Sequence, residues 1–317
     1  MKKILFAVGV ITIIVLGIYA VSNIAQKSKN NSQKITIVTT LFPLYDFAKN
    51  IGQDKVEVSL LLPPGVGPHG FEPKPSDIVK INESNLFIYT GKFMEPWAED
   101  IIKGSSNKNL KIVDSSSGIA VMKEEKHEDE HADEHEDEEV DPHIWLDFDN
   151  SKIMIDNIVK ALIEKDPANA VFYQKSAADY KTKLAQLDNQ YRSALSKCEN
   201  KEIVYGGHYA FGYLSKRYGL AYESAYGISP DSEPSAQNLI KLVEQIRKER
   251  IKFVFAEGLL NPRVAETLAK ETGSGILYLN PAGNLSKEDF EKNVSFLSIM
   301  EENLANLKTG LQCSKSL

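Results

Sequence analysis

The chain has six histidines, and their surroundings divide them into two groups of three. Three of them, His127, His131 and His135, recur every four residues in a strongly acidic segment. The others, His69, His143 and His208, stand far apart, beside the prolines and glycines that mark turns. Since neutral imidazole is the commonest metal ligand of proteins, this second group predicts a metal site.

His69, His143 and His208 each lie where a predicted strand ends or a helix starts. His69 belongs to a loop rich in proline and glycine, residues 61–73; His143 follows Asp141 and a proline; His208 follows two glycines. Open α/β sheets bind ligands at the carboxyl ends of their strands. The long separations exclude a zinc finger or a His-x-x-x-His site. They favour a cleft between two lobes, with two ligands from the first lobe and one from the second.

Three imidazoles form a metal site of borderline softness. Such a site favours zinc, copper or nickel over magnesium or calcium. Zinc is the expected ion because it accepts tetrahedral nitrogen ligation without redox chemistry. A manganese site would normally include more carboxylates, and manganese or another divalent metal remains the alternative.

Residues 123–140 contain the acidic segment. Eleven carboxylates and one lysine at residues 124–139 give a local net charge of −10, in a chain whose net charge is −7. So few apolar residues cannot form a packed core, which predicts a disordered loop. The loop either serves solubility alone or collects divalent metal through His127, His131 and His135, and we favour collection. The net negative charge also argues against nucleic acid as a partner.

Short β-branched runs alternate with helical patterns along the chain from residue 33 onwards. This alternation predicts an α/β fold in which each of two lobes has a mainly parallel sheet flanked by helices. One long rigid helix, residues 167–197, is expected to join the lobes, because its apolar residues recur every three or four positions. The predicted strands are 35–40, 56–62, 85–90, 111–113, 202–205, 221–224, 252–256 and 275–279. The predicted helices are 44–51, 76–83, 95–103, 151–164, 167–197, 210–218, 235–250 and 262–272.

The expected domains follow from this alternation and from the amino terminus. An apolar run at residues 4–21, behind Lys2 and Lys3, predicts an extracytoplasmic protein. We favour an uncleaved membrane anchor over a cleaved signal, since no small-x-small site follows. Cys198 and Cys313 could form a disulfide in an oxidising compartment, and the sequence does not decide this. The expected divisions are residues 1–33 (anchor or signal and linker), 34–150 (first lobe), 151–200 (connecting helices) and 201–317 (second lobe).

Several motifs resemble the metal-binding solute receptors of ABC importers, over residues 35–310. They are Pro-His-x-Phe-Glu-Pro from Pro68, Asp-Pro-His-Ile-Trp-Leu-Asp from Asp141, and His-x-x-Phe-x-Tyr-Leu from His208. Glu233-Pro234-Ser235, which leads into a helix, matches as well.

The resemblance implies two lobes joined by one rigid helix, a metal at their interface, an importer permease as partner and a monomer. Histidine at position 208 places the chain with the zinc-type, ZnuA-like members.

One position departs from the family pattern. Where the family usually has an aspartate after the last strand of the second lobe, this chain has Asn280. The fourth ligand could therefore be water, Asn280 or Glu257. Three histidines and a water would also describe a zinc hydrolase, with Glu72 or Glu257 as general base. No His-Glu-x-x-His motif supports that less favoured alternative.

Overall fold

The computed structural model describes residues 34–123, 140–229, 234–259 and 261–314. From Ile35 onwards the chain forms one compact unit. The histidines of the acidic segment and the apolar run at residues 4–21 lie outside the described residues. Among the helices of the described part, none is both long and apolar enough to cross a membrane.

The first lobe has a four-stranded parallel sheet in the order β2-β1-β3-β4. Its strands are short and rich in β-branched or aromatic residues, and β3 is buried throughout, as expected for a parallel sheet with both faces covered. The elements are β1 (Ile35–Thr39), α1 (Phe42–Gly52), β2 (Val56–Leu60), α2 (Pro75–Glu83), β3 (Leu86–Tyr89), α3 (Ala98–Gly104) and β4 (Lys111–Asp114). A small antiparallel hairpin of β5 (Met122–Lys123) and β6 (Val140–Asp141) follows.

The second lobe repeats this architecture, with a parallel sheet in the order β10-β9-β7-β8. His69 lies in the loop that follows the edge strand β2 of the first sheet, and His208 lies in the loop that follows the inner strand β7 of the second. The elements are β7 (Glu202–Tyr205), α6 (Gly212–Tyr218), β8 (Ala221–Ser224), α7 (Ala236–Lys248), β9 (Phe253–Glu257), α8 (Arg263–Thr272), β10 (Gly275–Leu279), α9 (Lys287–Glu291) and α10 (Phe296–Gly310).

Two helices connect the lobes, α4 (Phe148–Lys165) and α5 (Ala170–Leu195). The predicted long helix is confirmed, although α5 begins later than expected because residues 167–169 form a 3-10 turn. At 1.5 Å per residue the 26 residues of α5 span about 39 Å. The helix packs against α1 and α4 and also against α10 of the second lobe, so it contacts both lobes. The predicted apolar stripe is buried: Tyr173, Ala177, Tyr180, Leu184, Leu187, Tyr191 and Leu195.

Two further helices also begin two or three residues later than the sequence pattern indicated. The helix expected from residue 95 begins at Ala98, because the buried carboxylate of Glu95 instead accepts hydrogen bonds from the backbone N–H groups of Thr90 and Gly91. The helix expected from residue 210 begins at Gly212, which leaves His208 in the preceding loop. Cys198 and Cys313 form a disulfide, which joins the segment after α5 to the segment after α10.

Candidate metal centre

The three separated histidines meet at one point between the lobes. The Nε2 atom of His143 lies 3.2 Å from that of His69 and 3.1 Å from that of His208. All three ligand atoms lie within 4.8 Å of one another. Zn–N bonds of about 2.0–2.1 Å in a tetrahedron place neighbouring nitrogens about 3.3 Å apart. The spacing of these imidazoles therefore suits a tetrahedral metal ion.

His143 is held by the turn that precedes α4. Asp141 ends β6, and its Oδ1 accepts hydrogen bonds from the backbone N–H of His143 at 2.9 Å and from the ring Nδ1 at 2.8 Å. A proton held on Nδ1 by a carboxylate leaves the Nε2 lone pair available for a metal. The next residue but one, Trp145, is fully buried, and its indole N–H donates to the carbonyl of Pro281 in the second lobe.

His208 is held in the same way by a carboxylate of the second lobe. Strands β7 and β9 are parallel neighbours with Tyr205 opposite Phe255, so the segments that follow them run side by side. Glu257 ends β9, and its Oε2 lies 2.7 Å from Nδ1 of His208. A Cβ at Gly207 would come within 2.6 Å of that oxygen, so glycine is needed for the close approach.

His69 lies in the loop between β2 and α2 and is only half-buried. Part of this loop is bound by the opposite lobe. The Asn284 side-chain amide donates to the carbonyls of Pro63 and Val66 at 2.7 and 2.8 Å. The backbone N–H of Gly65 donates to the carbonyl of Leu285 at 2.7 Å.

Burial determines the charge state around His143. Desolvation, and secondly the positive charge that His208 can carry, lower the pKa of His143 well below its ordinary value, so the ring is neutral at pH 7. Burial raises the pKa of Asp141 to about 7, although the His143 backbone N–H lowers it. The Oδ2 atom of Asp141 is buried without a hydrogen-bond partner in the described structure. A cation at the three imidazoles would offset the cost of this buried charge, so the residues present fit a bound metal.

Two of the candidates for a fourth ligand, Glu257 and Asn280, have hydrogen-bond partners of their own. Glu257 lies behind His208, at the ring nitrogen that points away from the other two histidines. Asn280 turns its amide oxygen back to the N–H of Ala282, at 2.8 Å. The Glu72 side chain is exposed. A small cavity of about 50 Å³ adjoins the imidazoles, and Glu257 belongs to its lining, which consists of Gly67, Pro68, His69, His143, Trp145, His208, Glu257, Leu259, Pro281, Gly283 and Asn284.

Two residues that support the site, Asp141 and Asn284, were not predicted as site residues from the sequence. Asp141 stands two positions before His143, and an acidic residue so close to a candidate ligand was a usable signal. Asn284 carried no such signal, because its partners lie 221 and 218 residues away.

Comparison with known proteins identifies the family. Residues 37–310 match the family model described as "Zinc-uptake complex component A periplasmic", ZnuA. The chain is 40% identical over 297 residues to the high-affinity zinc uptake system protein ZnuA of Bacillus subtilis, covering 92% of this chain and 93% of that protein. It is 33% identical to the zinc-binding lipoprotein AdcA of Streptococcus pneumoniae, of whose length it spans only 56%.

The fold matches as well. The Zn(II)-bound ZnuA-like domain of Streptococcus pneumoniae AdcA superposes with a TM-score of 0.75 at 32% identity, covering 88% of this chain and 99% of that domain. The predicted resemblance and fold class are confirmed. The chain belongs to the ZnuA family of extracytoplasmic zinc-uptake receptors, which are binding proteins and not enzymes.

Proposed function

We propose that this chain binds one Zn²⁺ ion through Nε2 of His69, His143 and His208 and delivers it to an ABC-type importer. The observation that carries the proposal is the convergence of three Nε2 atoms at tetrahedral spacing. Zinc is the cargo of such a receptor, so the site must release the ion as well as bind it.

The fourth ligand in this proposal is a water molecule in the small cavity beside the imidazoles. Glu257 and Asp141 act from behind, each orienting one imidazole and raising its basicity. Three neutral nitrogen ligands favour zinc over manganese. Of the two carboxylates considered as a hydrolytic base, Glu257 is engaged with His208 and Glu72 is exposed.

Other parts of the proposal concern the chain outside the described residues. Residues 4–21 would tether the receptor to the membrane, close to the permease that accepts the metal. His127, His131 and His135 would raise the local zinc concentration without being needed for the tight site. The receptor would act as a monomer, since one chain supplies all three ligands.

Metal analysis and calorimetry test this function. Protein lacking residues 124–139 should bind one zinc ion tightly, and manganese far more weakly. The matched variants His69→Ala, His143→Ala and His208→Ala should each weaken binding. Full zinc affinity in all three variants would show that the ion is held elsewhere.

A further inference from the structure

A short segment of the second lobe, residues 281–285, is bound to every part of the first lobe that carries a ligand. We name this segment the interlobe bracket. The Pro281 carbonyl accepts from Trp145, two residues after His143, at 2.7 Å. The Gly283 carbonyl accepts from the backbone N–H of Phe42, the first residue of α1, at 3.2 Å. Three further hydrogen bonds bind the loop of His69, two from the Asn284 side chain and one to the Leu285 carbonyl.

The amide orientation of Asn284 follows from its surroundings. Its Oδ1 accepts from the backbone N–H of Leu285 at 2.8 Å, which leaves Nδ2 to face the carbonyls of Pro63 and Val66. Both amide hydrogens are therefore used across the lobe boundary. The side chain is 1% exposed, so water cannot replace these bonds if they are lost.

The bracket has a constrained backbone shape. Ala282 has a φ of 58°, in the left-handed region that residues other than glycine seldom adopt. Such a conformation persists only where surrounding contacts over-determine it. Here the Asn280 side chain supplies one of those contacts, accepting from the backbone N–H of Ala282. The bracket is thus preformed to receive the His69 loop.

We propose that Asn284 is a positioning residue for zinc, which holds His69 in the coordination sphere from the opposite lobe. Residues 63–66 end three positions before His69, so fixing them limits where the imidazole can lie. His143 and His208 have carboxylate partners within their own lobes, and their placement does not depend on this contact. Loss of the contact between Asn284 and residues 63–66 would free the His69 loop first and leave zinc on the other two imidazoles, whose carboxylate partners stay in place. Retention of zinc is therefore coupled to contact between the lobes. This inference rests on the zinc-receptor function proposed above.

The test is the rate of zinc release from the Asn284→Leu variant. Leucine has the same branching and similar volume, lacks both donors, and offers no atom that could ligate zinc, unlike aspartate. Losing a partner outside the coordination sphere typically costs about 10–100-fold in metal affinity. We expect a rise of that size in the zinc dissociation rate, measured by stopped-flow mixing of loaded full-length protein with a chromophoric chelator.

Asn238→Leu provides the matched control. The Asn238 amide also donates to two backbone carbonyls, those of Ser224 and Ala225, but both partners lie within the second lobe. Its zinc dissociation rate should stay close to that of the wild type. If Asn284→Leu fails to fold, Asn284→Ala removes the same two donors with less steric demand.

A double-mutant cycle with His69→Ala separates positioning from a general structural role. If Asn284 acts through His69, Asn284→Leu should not accelerate release any further in protein that already lacks the His69 imidazole. An equal acceleration in both backgrounds would overturn the proposal, and so would a wild-type rate in the single variant. Wild-type protein that binds no zinc at these histidines would instead refute the proposed function.

Discussion

His143 and His208 differ from His69 in what holds them. The first two are 1% and 3% exposed, and each has its Nδ1 against a carboxylate of its own lobe. His69 is half-buried in a loop whose preceding residues are bound by backbone and amide groups of the other lobe. The site therefore combines two imidazoles fixed within their lobes with a third whose position depends on the contact between lobes.

This difference suits a receptor that must hold its cargo tightly and still release it. A ligand fixed by a carboxylate of its own lobe keeps its orientation when the contact at the bracket is lost, whereas a ligand held through that contact does not. Because each imidazole contributes to affinity, loss of one ligand would weaken binding steeply without unfolding either lobe. Variants that affect one kind of ligand and spare the other test this difference.

The largest effects are expected from removing the ligands themselves. His143→Ala and His208→Ala should each lower zinc affinity by more than the roughly 100-fold upper range for a partner outside the coordination sphere. His69→Ala should lower it less, because two oriented imidazoles remain. Calorimetry with a competing chelator measures all three. If His69→Ala binds zinc more weakly than the other two variants, the distinction between ligands fixed within their own lobe and a ligand held across the lobe boundary is wrong.

Removal of the carboxylates behind the rings should have the next largest effect. Asp141→Ala and Glu257→Ala each free an imidazole to rotate, so zinc affinity should fall by about 10–100-fold. Glu72→Ala is the control, since its exposed side chain lies outside the cavity lining. Equal losses in all three variants would mean that charge near the site, and not ring orientation, determines affinity.

A smaller effect is expected from pH. Because burial raises the pKa of Asp141 to about 7, the metal-free site takes up a proton there as pH falls through 7. Zinc favours the carboxylate form, so binding below this pH must release the proton and affinity decreases. Asn at this position imitates the protonated acid.

The advantage of wild type over Asp141→Asn should therefore be about tenfold at pH 8 and should shrink towards pH 5.5. A ratio that stays constant from pH 8 to 5.5 would show that Asp141 does not titrate in this range. Titrations with a zinc-selective competitor at fixed ionic strength provide the measurement.

Local patterns were sufficient to predict much of the fold and the three converging histidines. β-Branched runs located the central strands, and the spacing from Tyr173 to Leu195 located the connecting helix. The residues that hold each histidine in place were harder to predict from local sequence patterns. Glu257 reaches His208 only through the register of β7 against β9, and Asn284 reaches the His69 loop across more than 200 residues. The amide oxygen of Asn280 accepts from the backbone N–H of Ala282 in the bracket, a contact that the strand pattern could not reveal.

The last prediction concerns a second contact between the lobes, which should affect stability more than zinc. Arg217, on α6, has a side chain that is 7% exposed and binds Asp147 and Asp149 at the start of α4 and Asp188 on α5. Arg217→Met would leave Asp188 nearly buried without its main partner and should cost about 3 kcal/mol of unfolding free energy at pH 7. Arg192→Met is the control, because Arg192 pairs with the same Asp188 from a half-exposed position at 3.4 Å and should contribute within about 0.5 kcal/mol.

Lowering the pH should reduce the loss of unfolding free energy that Arg217→Met causes. Hydrogen bonds from Arg217 lower the pKa of Asp149 to about 2. The pKa of Asp188 is raised by burial but lowered overall by Arg217 and Tyr218. Carboxyls with a depressed pKa stabilise the fold above their unfolded pKa of about 3.9 and lose that contribution as pH falls through the folded value. Denaturant unfolding should therefore show the difference between wild type and variant shrinking from pH 4 to pH 2. Zinc release should accelerate far less in this variant than in Asn284→Leu, because the ion pairs of Arg217 within the described residues join it to Asp147, Asp149 and Asp188 and not to the His69 loop. Acceleration equal to that of Asn284→Leu would mean that any weakening between the lobes frees zinc, and that the bracket has no special part.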